Sequence, residues 1–243
     1  MATTVSAPAL TRLLVTGSDG FIGSRLSEEA RLRGYEVSGC DVRDDILSPG
    51  FRTDADVAIH LAAHKHAPMG EDHPMEVADL NIRGTQAVVD RAGKVVLAST
   101  CKAANPITAY GASKLIAERI VLNAGGWVVR LVNVLGSSGS VTDIWGDIEG
   151  PLPVTDTERY FITPETAVSA FLDVLELPPG RYAPRLSTIR HMDEVVAEMY
   201  PGRPTYRCPL RRGDRPVERL LNDYETATPV TESLVRIDDC WGT

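Results

Sequence analysis

A tyrosine and a lysine, Tyr110 and Lys114, stand four positions apart in a stretch with helical patterning. Side chains at that spacing share one face of an α-helix. A phenol has an ordinary pKa near 10, and a neighbouring ammonium group together with a cationic ring would favour its anion. The pair is therefore a candidate for proton exchange with a substrate hydroxyl. Ser99 and Thr100, just after a predicted strand, are candidates to bind the same oxygen.

A glycine-rich turn joins the first predicted strand to the first predicted helix and contains Gly17, Gly20 and Gly23. Such glycines permit a tight turn and let a pyrophosphate approach the N-terminus of the helix. Asp41 follows the second predicted strand, where an acid accepts hydrogen bonds from ribose hydroxyls and repels a 2′-phosphate. The pattern predicts a dinucleotide site that favours NAD, and Arg43 leaves some room for NADP.

The elements that must position these residues are strands rich in Val and Ile that alternate with helices. We predict strands at 10–16, 36–40, 57–61, 95–98 and 127–132, and helices at 24–32, 75–91 and 109–123. This alternation is typical of α/β proteins in which helices cover both faces of a parallel sheet, the doubly wound Rossmann arrangement. We expect residues 1–134 to form this NAD-binding domain.

The remaining residues, 135–243, are rich in proline and carry only short helical patterns, at 164–175, 192–199 and 217–224. We predict a small C-terminal substrate-binding domain over the carboxyl edge of the sheet, with some segments returning to the sheet. A ligand would then lie between the two parts, where open parallel sheets bind ligands.

The composition narrows the class of protein. The chain has 243 residues, of which 43% are hydrophobic and 24% charged, which excludes a disordered chain, collagen and a coiled coil. The sequence has no run of about 20 apolar residues, and residues 1–11 lack the pattern of a signal peptide, so we expect a soluble cytoplasmic protein without a membrane partner. The net charge of −8 disfavours sequence-independent binding of nucleic acid. Zinc and disulfides are not expected, and no metal site is predicted, because the four cysteines lie far apart.

One stretch departs from the acidic balance. Residues 203–219 contain six arginines and two acids. The stretch is either a solvated face or a site for a small anion such as a diphosphate, since arginine forks match phosphate oxygens.

Several longer blocks resemble the extended short-chain dehydrogenase/reductase superfamily, and within it the polysaccharide-biosynthesis branch of UDP-N-acetylglucosamine 4,6-dehydratases. The resemblance covers residues 12 to about 225. It rests on the blocks HLAAHKHAP (60–68), NIRGT (81–85), STCKAANP (99–106), NVLGSSGSV (133–141), PLPVTD (151–156), RYFIT (159–163) and GDRPVE (213–218).

The resemblance implies an NAD-dependent enzyme that acts on a nucleotide-diphosphate sugar, with a homodimer as the superfamily's habit. The implied catalytic residues are Thr100, Cys101, Lys102, Tyr110 and Lys114. The implied cofactor contacts come from the glycine turn, Phe21, Ile22, Asp41, Leu61, Ala62, Ala63, Lys65, Ser99, Tyr110 and Lys114. The implied substrate contacts come from Lys65, His66, Asn133, Ser140, Val141, Arg159, Arg215 and Glu218.

The mechanism of that branch is an internal redox cycle. Tyrosine takes the C4 hydroxyl proton while hydride leaves C4, a lysine takes the C5 proton, water leaves C6, and the hydride returns at C6. The lysine corresponds to Lys102. The family's proton donor, an aspartate just before this lysine, corresponds here to Cys101.

The cysteine leaves alternatives open. A thiol, with an ordinary pKa near 8.5, can donate a proton, but it cannot pair with Lys102 as a carboxylate would, and we expect that loss to lower the pKa of the lysine. Elimination then survives with altered regiochemistry or stereochemistry, or the enzyme is a C4-epimerase, or Cys101 only fills space. A regulator that binds NAD or NADP without turnover is a third class of function.

Two intervals are shorter than in the family. The interval from Asp41 to Asp56 is too short for the usual third strand and helix, and the interval from Val141 to Pro151 is shorter than the family's loop over the sugar. The second leaves the identity of the sugar open.

Overall fold

A computed structural model describes residues 11–41, 46–48, 51–186 and 188–240. Its strands are β1 (Arg12–Thr16), β2 (Glu36–Cys40), β3 (Val57–His60), β4 (Val95–Thr100), β5 (Trp127–Leu131), β6 (Asn133–Val134), β7 (Leu152–Val154), β8 (Glu158–Arg159), β9 (Phe161–Ile162), β10 (Gly180–Pro184), β11 (Arg190–His191), β12 (Thr205–Arg207), β13 (Glu225–Pro229) and β14 (Leu234–Asp239). Its α-helices are α1 (Phe21–Leu32), α2 (Ala67–Asp72), α3 (Pro74–Ala78), α4 (Thr85–Ala92), α5 (Ala109–Asn123), α6 (Val141–Asp147), α7 (Pro164–Asp173) and α8 (Met192–Met199).

Eight strands form the central sheet, in the order β13-β14-β10-β5-β4-β3-β1-β2. From β2 to β10 every neighbouring pair is parallel, and β14 and β13 add an antiparallel edge. Parallel neighbours need crossover connections, and α1, α4, α5 and α7 supply them. The predicted doubly wound parallel sheet of Rossmann type is therefore confirmed, with β2 at its edge.

Alternation along β1 explains how the sheet is covered on both faces. Leu13 and Val15 pack into one apolar cluster with Leu26 of α1 and Phe171 of α7. Leu14 points to the opposite face and packs in a second cluster with α4 and α5 residues. Because both faces are buried at the centre of the sheet, β1, β3 and β4 are mainly apolar, and the sheet is a rigid support for the loops at its edge.

A smaller lobe forms around the fully buried Trp145 of α6. Residues of β7 and α8 pack around it, and its indole N–H donates to the carbonyl oxygen of Pro153 at 2.9 Å. β12 pairs with β7. In contrast, α7 and strands β10, β13 and β14, which come later in the chain than α6 or β7, belong to the central sheet and its covering layer.

The predicted helix at 217–224 is wrong. This segment forms a β-bridge between Val217 and Glu158. The backbone N–H of Glu218 donates to the carbonyl oxygen of Glu158 at 3.1 Å. The backbone N–H of Glu218, which a helix would use for an internal hydrogen bond, is thus bound to β8 instead. The predicted helix at 75–91 is α3 and α4 joined by a π-helical turn, Asp79–Gly84.

Within the described residues, no helix combines the length and apolar character needed to cross a bilayer. The same part of the chain holds no group of three or more His, Cys, Asp or Glu side chains able to bind a metal ion.

Candidate active site

The carboxyl ends of β1, β3 and β4 lie side by side, because these strands are parallel neighbours in register. The segments that leave them, 17–23, 61–66 and 100–102, therefore share one edge of the sheet. This is the edge at which parallel α/β sheets bind ligands.

The glycine turn after β1 has a geometry that larger residues do not fit. Gly17 has φ of +74°, in the left-handed region, and a Cβ at Gly23 would lie 2.0 Å from the carbonyl oxygen of Gly17. The turn is fixed by the N–H of Gly17, which donates to the carbonyl of Cys40 at 2.7 Å. α1 starts directly after it at Phe21, followed by Ile22, and Gly20 at its N-cap provides no side-chain cap. Such a turn exposes the helix N-terminus to a pyrophosphate, so these residues fit a bound dinucleotide.

The predicted ribose acid lies against this turn. The backbone N–H of Asp19 donates to Asp41 Oδ2 at 2.7 Å, which ties the end of β2 to the glycine turn. An open cleft there is lined by Asp19, Gly39 and Asp41 among others. Arg43, which left room for NADP, lies outside the described residues.

The segment after β3 runs beside the glycine turn. Leu61 N–H donates to the Thr16 carbonyl at 3.1 Å, and a Cβ on Gly17 would lie 3.0 Å from the backbone nitrogen of Ala62. Ala63 follows, partly exposed. Leu61 and Ala62 are thus brought to the predicted dinucleotide site by backbone contacts.

Lys65 and His66 meet the loop that precedes α6. The Lys65 ammonium donates to the carbonyl of Ser138 at 2.7 Å. His66 is close enough to Gly139 that a Cβ there would lie 3.2 Å from the imidazole ring. Ser140 caps α6 by accepting from the Asp143 N–H at 3.2 Å, and Val141 is the first residue of that helix. The structure brings these four predicted substrate residues into one cluster.

Tyr110 lies in the first turn of α5, which is held in place by two acceptors. Thr108 Oγ1 accepts from the N–H of Gly111 at 3.0 Å. Glu71 Oε1 accepts from the N–H of Ala109 at 2.7 Å. The start of the helix, and with it the position of the phenol, is therefore fixed from both its own N-cap and α2.

The two members of the predicted proton-transfer couple have shifted pKa values. Burial lowers the pKa of Lys114 to about 8, and the nearby carboxylate of Glu118 opposes this shift. Burial and the neighbouring Cys101 raise the pKa of Tyr110 above its usual value, and a hydrogen bond with Thr100 acts in the opposite direction. The chain's own groups therefore hold the phenol protonated at neutral pH.

Thr100 ends β4 and caps the short 3₁₀ turn Cys101–Ala103. Its Oγ1 accepts from the Lys102 N–H at 3.3 Å and lies 3.8 Å from the Cys101 sulfur. Cys101 is 4% exposed, and burial with the nearby Glu218 raises the pKa of its thiol to about 12. Thr100, Cys101 and Tyr110 thus form one group at the end of β4.

Lys102 lies beside a carboxylate, although its sequence neighbour Cys101 provides none. Its Nζ lies 3.8 Å from Glu218 Oε1. Glu218 comes from the segment that pairs with β8, more than a hundred residues further along the chain. The sequence gives no local signal of this partner, because the contact joins distant segments of the chain.

Three predicted substrate residues, Arg159, Arg215 and Glu218, line the pocket beside Lys102, and a fourth, Asn133, contacts Glu218. Glu218 Oε2 accepts from Asn133 Nδ2 at 2.8 Å. Arg159 donates to the carbonyl of Arg215 at 2.8 Å, and Arg215 donates to the carbonyl of Asn105. The pocket is lined by Cys101, Lys102, Asn105, Ile107, Thr108, Arg159, Gly213, Asp214, Arg215, Glu218 and Arg219.

The six arginines of the 203–219 stretch do not converge on one anion. Arg215 and Arg219 line the pocket. Arg203 donates to the Gly150 carbonyl, Arg207 pairs with Asp193, and Arg212 lies 3.7 Å from Glu71. Only part of the stretch is therefore placed to meet a diphosphate.

Ser99 is directed away from this group. Its hydroxyl donates to Glu118 Oε1 at 2.5 Å. Glu118 also pairs with Arg130 at 2.8 Å, and Arg130 pairs with Glu225 at 2.8 Å. The side chains of this network are almost fully buried, so the Ser99 hydroxyl is engaged inside the protein and the Thr100 hydroxyl alone faces Tyr110.

Sequence reasoning missed residues that support the site. Thr108 had a usable signal, because Thr is a preferred N-cap and stands just before the predicted helix. Glu71 and Glu118 had none, because their roles depend on contacts made only in the folded chain.

Named relatives resemble this chain over part of their length. A UDP-N-acetylglucosamine 4,6-dehydratase (inverting) of Campylobacter jejuni is 36% identical, with 63% of this chain and 52% of the relative covered. The probable polysaccharide biosynthesis protein EpsC of Bacillus subtilis is 33% identical, with 78% and 36% covered. The chain thus spans about half the length of the first of these relatives and less of the second.

Solved structures and a family model complete the comparison. TunA, described as an NAD-dependent NDP-hexosamine 5,6-dehydratase involved in tunicamycin biosynthesis, aligns with a TM-score of 0.74 at 20% identity, covering 86% of this chain and 88% of TunA. At that identity the likeness shows the fold alone. The model of the family described as polysaccharide biosynthesis protein matches residues 29–236. The chain therefore belongs to the polysaccharide biosynthesis protein family, within the extended short-chain dehydrogenase/reductase superfamily that its motifs predicted.

Proposed function

We propose that this chain is an NAD-dependent dehydratase of a nucleotide-diphosphate sugar, of the UDP-N-acetylglucosamine 4,6-dehydratase kind. The observation that carries the proposal is the grouping of Tyr110, Thr100 and Lys102 around Cys101. Simple oxidation of a hydroxyl requires only a tyrosine that takes the hydroxyl proton, a basic residue beside it, and a redox cofactor. A second amine beside it suits removal of a further proton from carbon, which distinguishes elimination from simple oxidation.

The residues that would hold the dinucleotide are those at the ends of β1, β2 and β3. Gly17, Gly20 and Gly23 would receive the pyrophosphate at the start of α1, and Asp41 would accept from a ribose. The carboxylate supports NAD over NADP because it would repel a 2′-phosphate. When bound, the nicotinamide would accept a hydride from the sugar and later return it.

In the oxidation step, the role of Tyr110 is to take the proton of the C4 hydroxyl, and that of Thr100 is to hold the same oxygen. The phenol is protonated in the chain alone. The cationic nicotinamide ring of a bound NAD, together with Lys114, would favour the phenolate form of Tyr110. The Lys114 pKa of about 8 leaves this amine able to gain or release a proton near neutral pH.

In the elimination step, the C4 ketone acidifies the C5 hydrogen, and Lys102 as the free amine takes that proton. The C5–H electrons are held as the enolate of the ketone and then form a C5–C6 double bond as the C6 hydroxyl, once protonated, leaves as water. Asn133, Arg159 and Arg215 support the nucleotide sugar at the pocket beside Lys102, and Lys65 and His66 support it from the loop before α6.

Incubation of the protein with UDP-N-acetylglucosamine tests the proposal. Loss of one water from the sugar nucleotide by mass spectrometry, with the product assigned by NMR, is the expected result. Tyr110→Phe should abolish turnover. Lys102→Met should retain oxidation at C4, seen as reduction of the bound dinucleotide, and lose dehydration. Unchanged starting material with every UDP-sugar tried, from a folded protein that binds NAD, would contradict the proposal.

A C4-epimerase is the second candidate, and Cys101 is the observation that favours it. A thiol with a pKa of about 12 is a poor proton donor to a leaving hydroxyl. A UDP-glucose 4-epimerase of Thermotoga maritima also shares the fold, with a TM-score of 0.75 at 19% identity and 86% of this chain and 89% of the epimerase covered. An unchanged mass with a new configuration at C4 would establish this function in place of dehydration. If the chain were instead a regulator that binds the dinucleotide without turnover, Tyr110→Phe would have no effect on its function.

A further inference from the structure

The elimination needs a proton donor for the C6 hydroxyl, and the group at the end of β4 supplies no strong one. Hydroxide is a poor leaving group, so its departure is assisted by an acid. The Cys101 thiol has a pKa of about 12, and the Thr100 hydroxyl is engaged with the Lys102 N–H and Tyr110. A carboxylic acid is the side chain that matches this task near neutral pH.

Glu218 is the carboxyl group that reaches this place. Its side chain is 7% exposed, and its Oε1 lies 3.8 Å from Lys102 Nζ. The thiol of Cys101 interacts with the same carboxyl group. The wall of one pocket therefore contains the amine, the thiol and the carboxyl group side by side.

The two oxygens of Glu218 have different surroundings. Oε2 accepts from Asn133 Nδ2 at 2.8 Å and from the Tyr160 N–H at 3.1 Å. These two donors fix the carboxyl plane. Oε1 is the oxygen directed toward Lys102, and it is the one placed to carry a transferable proton.

We propose that Glu218 is the proton donor to the departing C6 hydroxyl, a role that rests on the dehydratase function proposed above. In this role Glu218 acts as the carboxylic acid and Lys102 as the free amine, so the acid and the base that elimination requires lie 3.8 Å from each other.

The step balances in protons and electrons. The Lys102 lone pair takes the C5 proton, and the C5–H electrons are held first as the enolate of the C4 ketone. They then form the C5–C6 double bond as the C6–O bond breaks with its electrons on oxygen. The Oε1 proton of Glu218 joins that oxygen, and water leaves. The protein is left with ammonium at Lys102 and carboxylate at Glu218, which is the ion pair found in the structure. At the end Lys102 has returned its proton to C5, Tyr110 holds the proton from the C4 hydroxyl, and Glu218 lacks the one it gave. Exchange with solvent releases the first proton and restores the second, so no proton is gained or lost over the cycle.

The test compares two substrates in one variant. Glu218→Gln keeps the size of the side chain and can still accept from Asn133 and Tyr160, but it cannot give a proton. We expect it to dehydrate UDP-N-acetylglucosamine about 10²- to 10⁴-fold more slowly in kcat, the range for loss of a general acid. With the 6-deoxy-6-fluoro analogue, whose fluoride leaves without protonation, its rate should stay within about threefold of the unmodified protein. The control Glu232→Gln, at an exposed glutamate between β13 and β14, should match the unmodified protein on both substrates.

A second variant tests the same role from the neighbouring position. Adding Cys101→Asp to Glu218→Gln places a carboxyl group next to Lys102 again and should recover at least about tenfold of the lost rate. If the amide variant does not fold, Glu218→Asp keeps the charge and should show the same contrast between the two substrates at smaller magnitude.

The outcomes separate this inference from the function on which it rests. Equal slowing on both substrates, or a rise in KM with unchanged kcat, would assign Glu218 to binding and overturn the inference. So would an unchanged rate of Glu218→Gln on the natural substrate. Failure of the unmodified protein to release water would instead overturn the dehydratase function. Uptake of solvent deuterium at C5 in Glu218→Gln is expected, because it depends on Lys102, and it shows that the steps before water loss are intact.

Discussion

The Ser99 hydroxyl donates to Glu118 Oε1 at 2.5 Å, whereas the hydroxyl of its neighbour Thr100 contacts Tyr110. Two adjacent hydroxyls that look equivalent in sequence therefore serve different purposes. One completes a buried charge network and the other belongs to the reactive group.

Substitution of these two residues should separate stability from activity. Ser99→Ala leaves a buried carboxylate without one donor, so we expect it to lower the free energy of unfolding by about 1–3 kcal/mol, measured by chemical denaturation, with little change in NAD affinity. Thr100→Val should change stability less and lower turnover by about tenfold or more. Equal effects of both variants on turnover would contradict this assignment.

Gly23→Ala should abolish dinucleotide binding, because its Cβ would lie 2.0 Å from the Gly17 carbonyl oxygen and the turn would have to open. Gly146→Ala is the matched control, since its Cβ would have an ordinary contact of 3.7 Å with the Tyr200 hydroxyl. Titration of NAD followed by fluorescence compares them. Wild-type affinity in Gly23→Ala would show that the turn does not receive the pyrophosphate.

His60 should make the protein sensitive to acid. It is 1% exposed, lies 2.7 Å from Thr16 Oγ1, and burial lowers its pKa to about 3, with a smaller effect from the charge of Lys114. Between that value and the ordinary pKa near 6.5, the unfolded chain binds a proton that the folded chain does not. The free energy of unfolding should therefore fall as the pH falls through this window, by up to about 1.4 kcal/mol per unit.

The measurement is chemical denaturation of the unmodified protein and of His60→Gln at pH values from 7 to 4. The variant should show a shallower decline. His73→Gln, at an exposed histidine, serves as the control and should keep the original slope. Parallel slopes for the unmodified protein and His60→Gln would refute this origin of acid sensitivity.

The arginines of residues 203–219 lie in different places, so we expect their substitution to have unequal effects on the KM for the sugar nucleotide. Arg215→Ala removes a guanidinium group from the pocket wall and should raise the KM for the sugar nucleotide by about tenfold or more. Arg207→Ala breaks an exposed pair with Asp193 and should leave KM within about twofold. Steady-state kinetics distinguishes the two variants. A KM of Arg215→Ala equal to that of the unmodified protein would show that Arg215 does not bind the substrate.

Local patterns predicted the parts of the protein that local physics determines. The alternation of apolar strands with helices gave the parallel sheet, and the spacing of Tyr110 and Lys114 placed both on α5. The glycine spacing and Asp41 also came together at one turn. These features depend on backbone periodicity and on short connections, which a sequence displays directly.

The errors concern contacts between distant segments. The 217–224 pattern was read as a helix because nothing nearby shows that its backbone would pair with β8. The Lys102 partner was missed for the same reason, since Glu218 lies on that segment. Ser99 and Thr100 look alike in the sequence, and only their contacts with Glu118 and Tyr110 distinguish them.

The buried network has a consequence for how the chain unfolds. Arg130 and Arg181 both form ion pairs with Glu118 of α5. On their other side they form ion pairs with the C-terminal hairpin, through Glu225 and Asp239. Loss of either set of carboxylates would leave buried guanidinium groups unpaired and would lower the free energy of unfolding by several kcal/mol. The hairpin and the helix that carries Tyr110 should therefore open cooperatively, and amides in β14 and in α5 should exchange with solvent with the same free energy of opening.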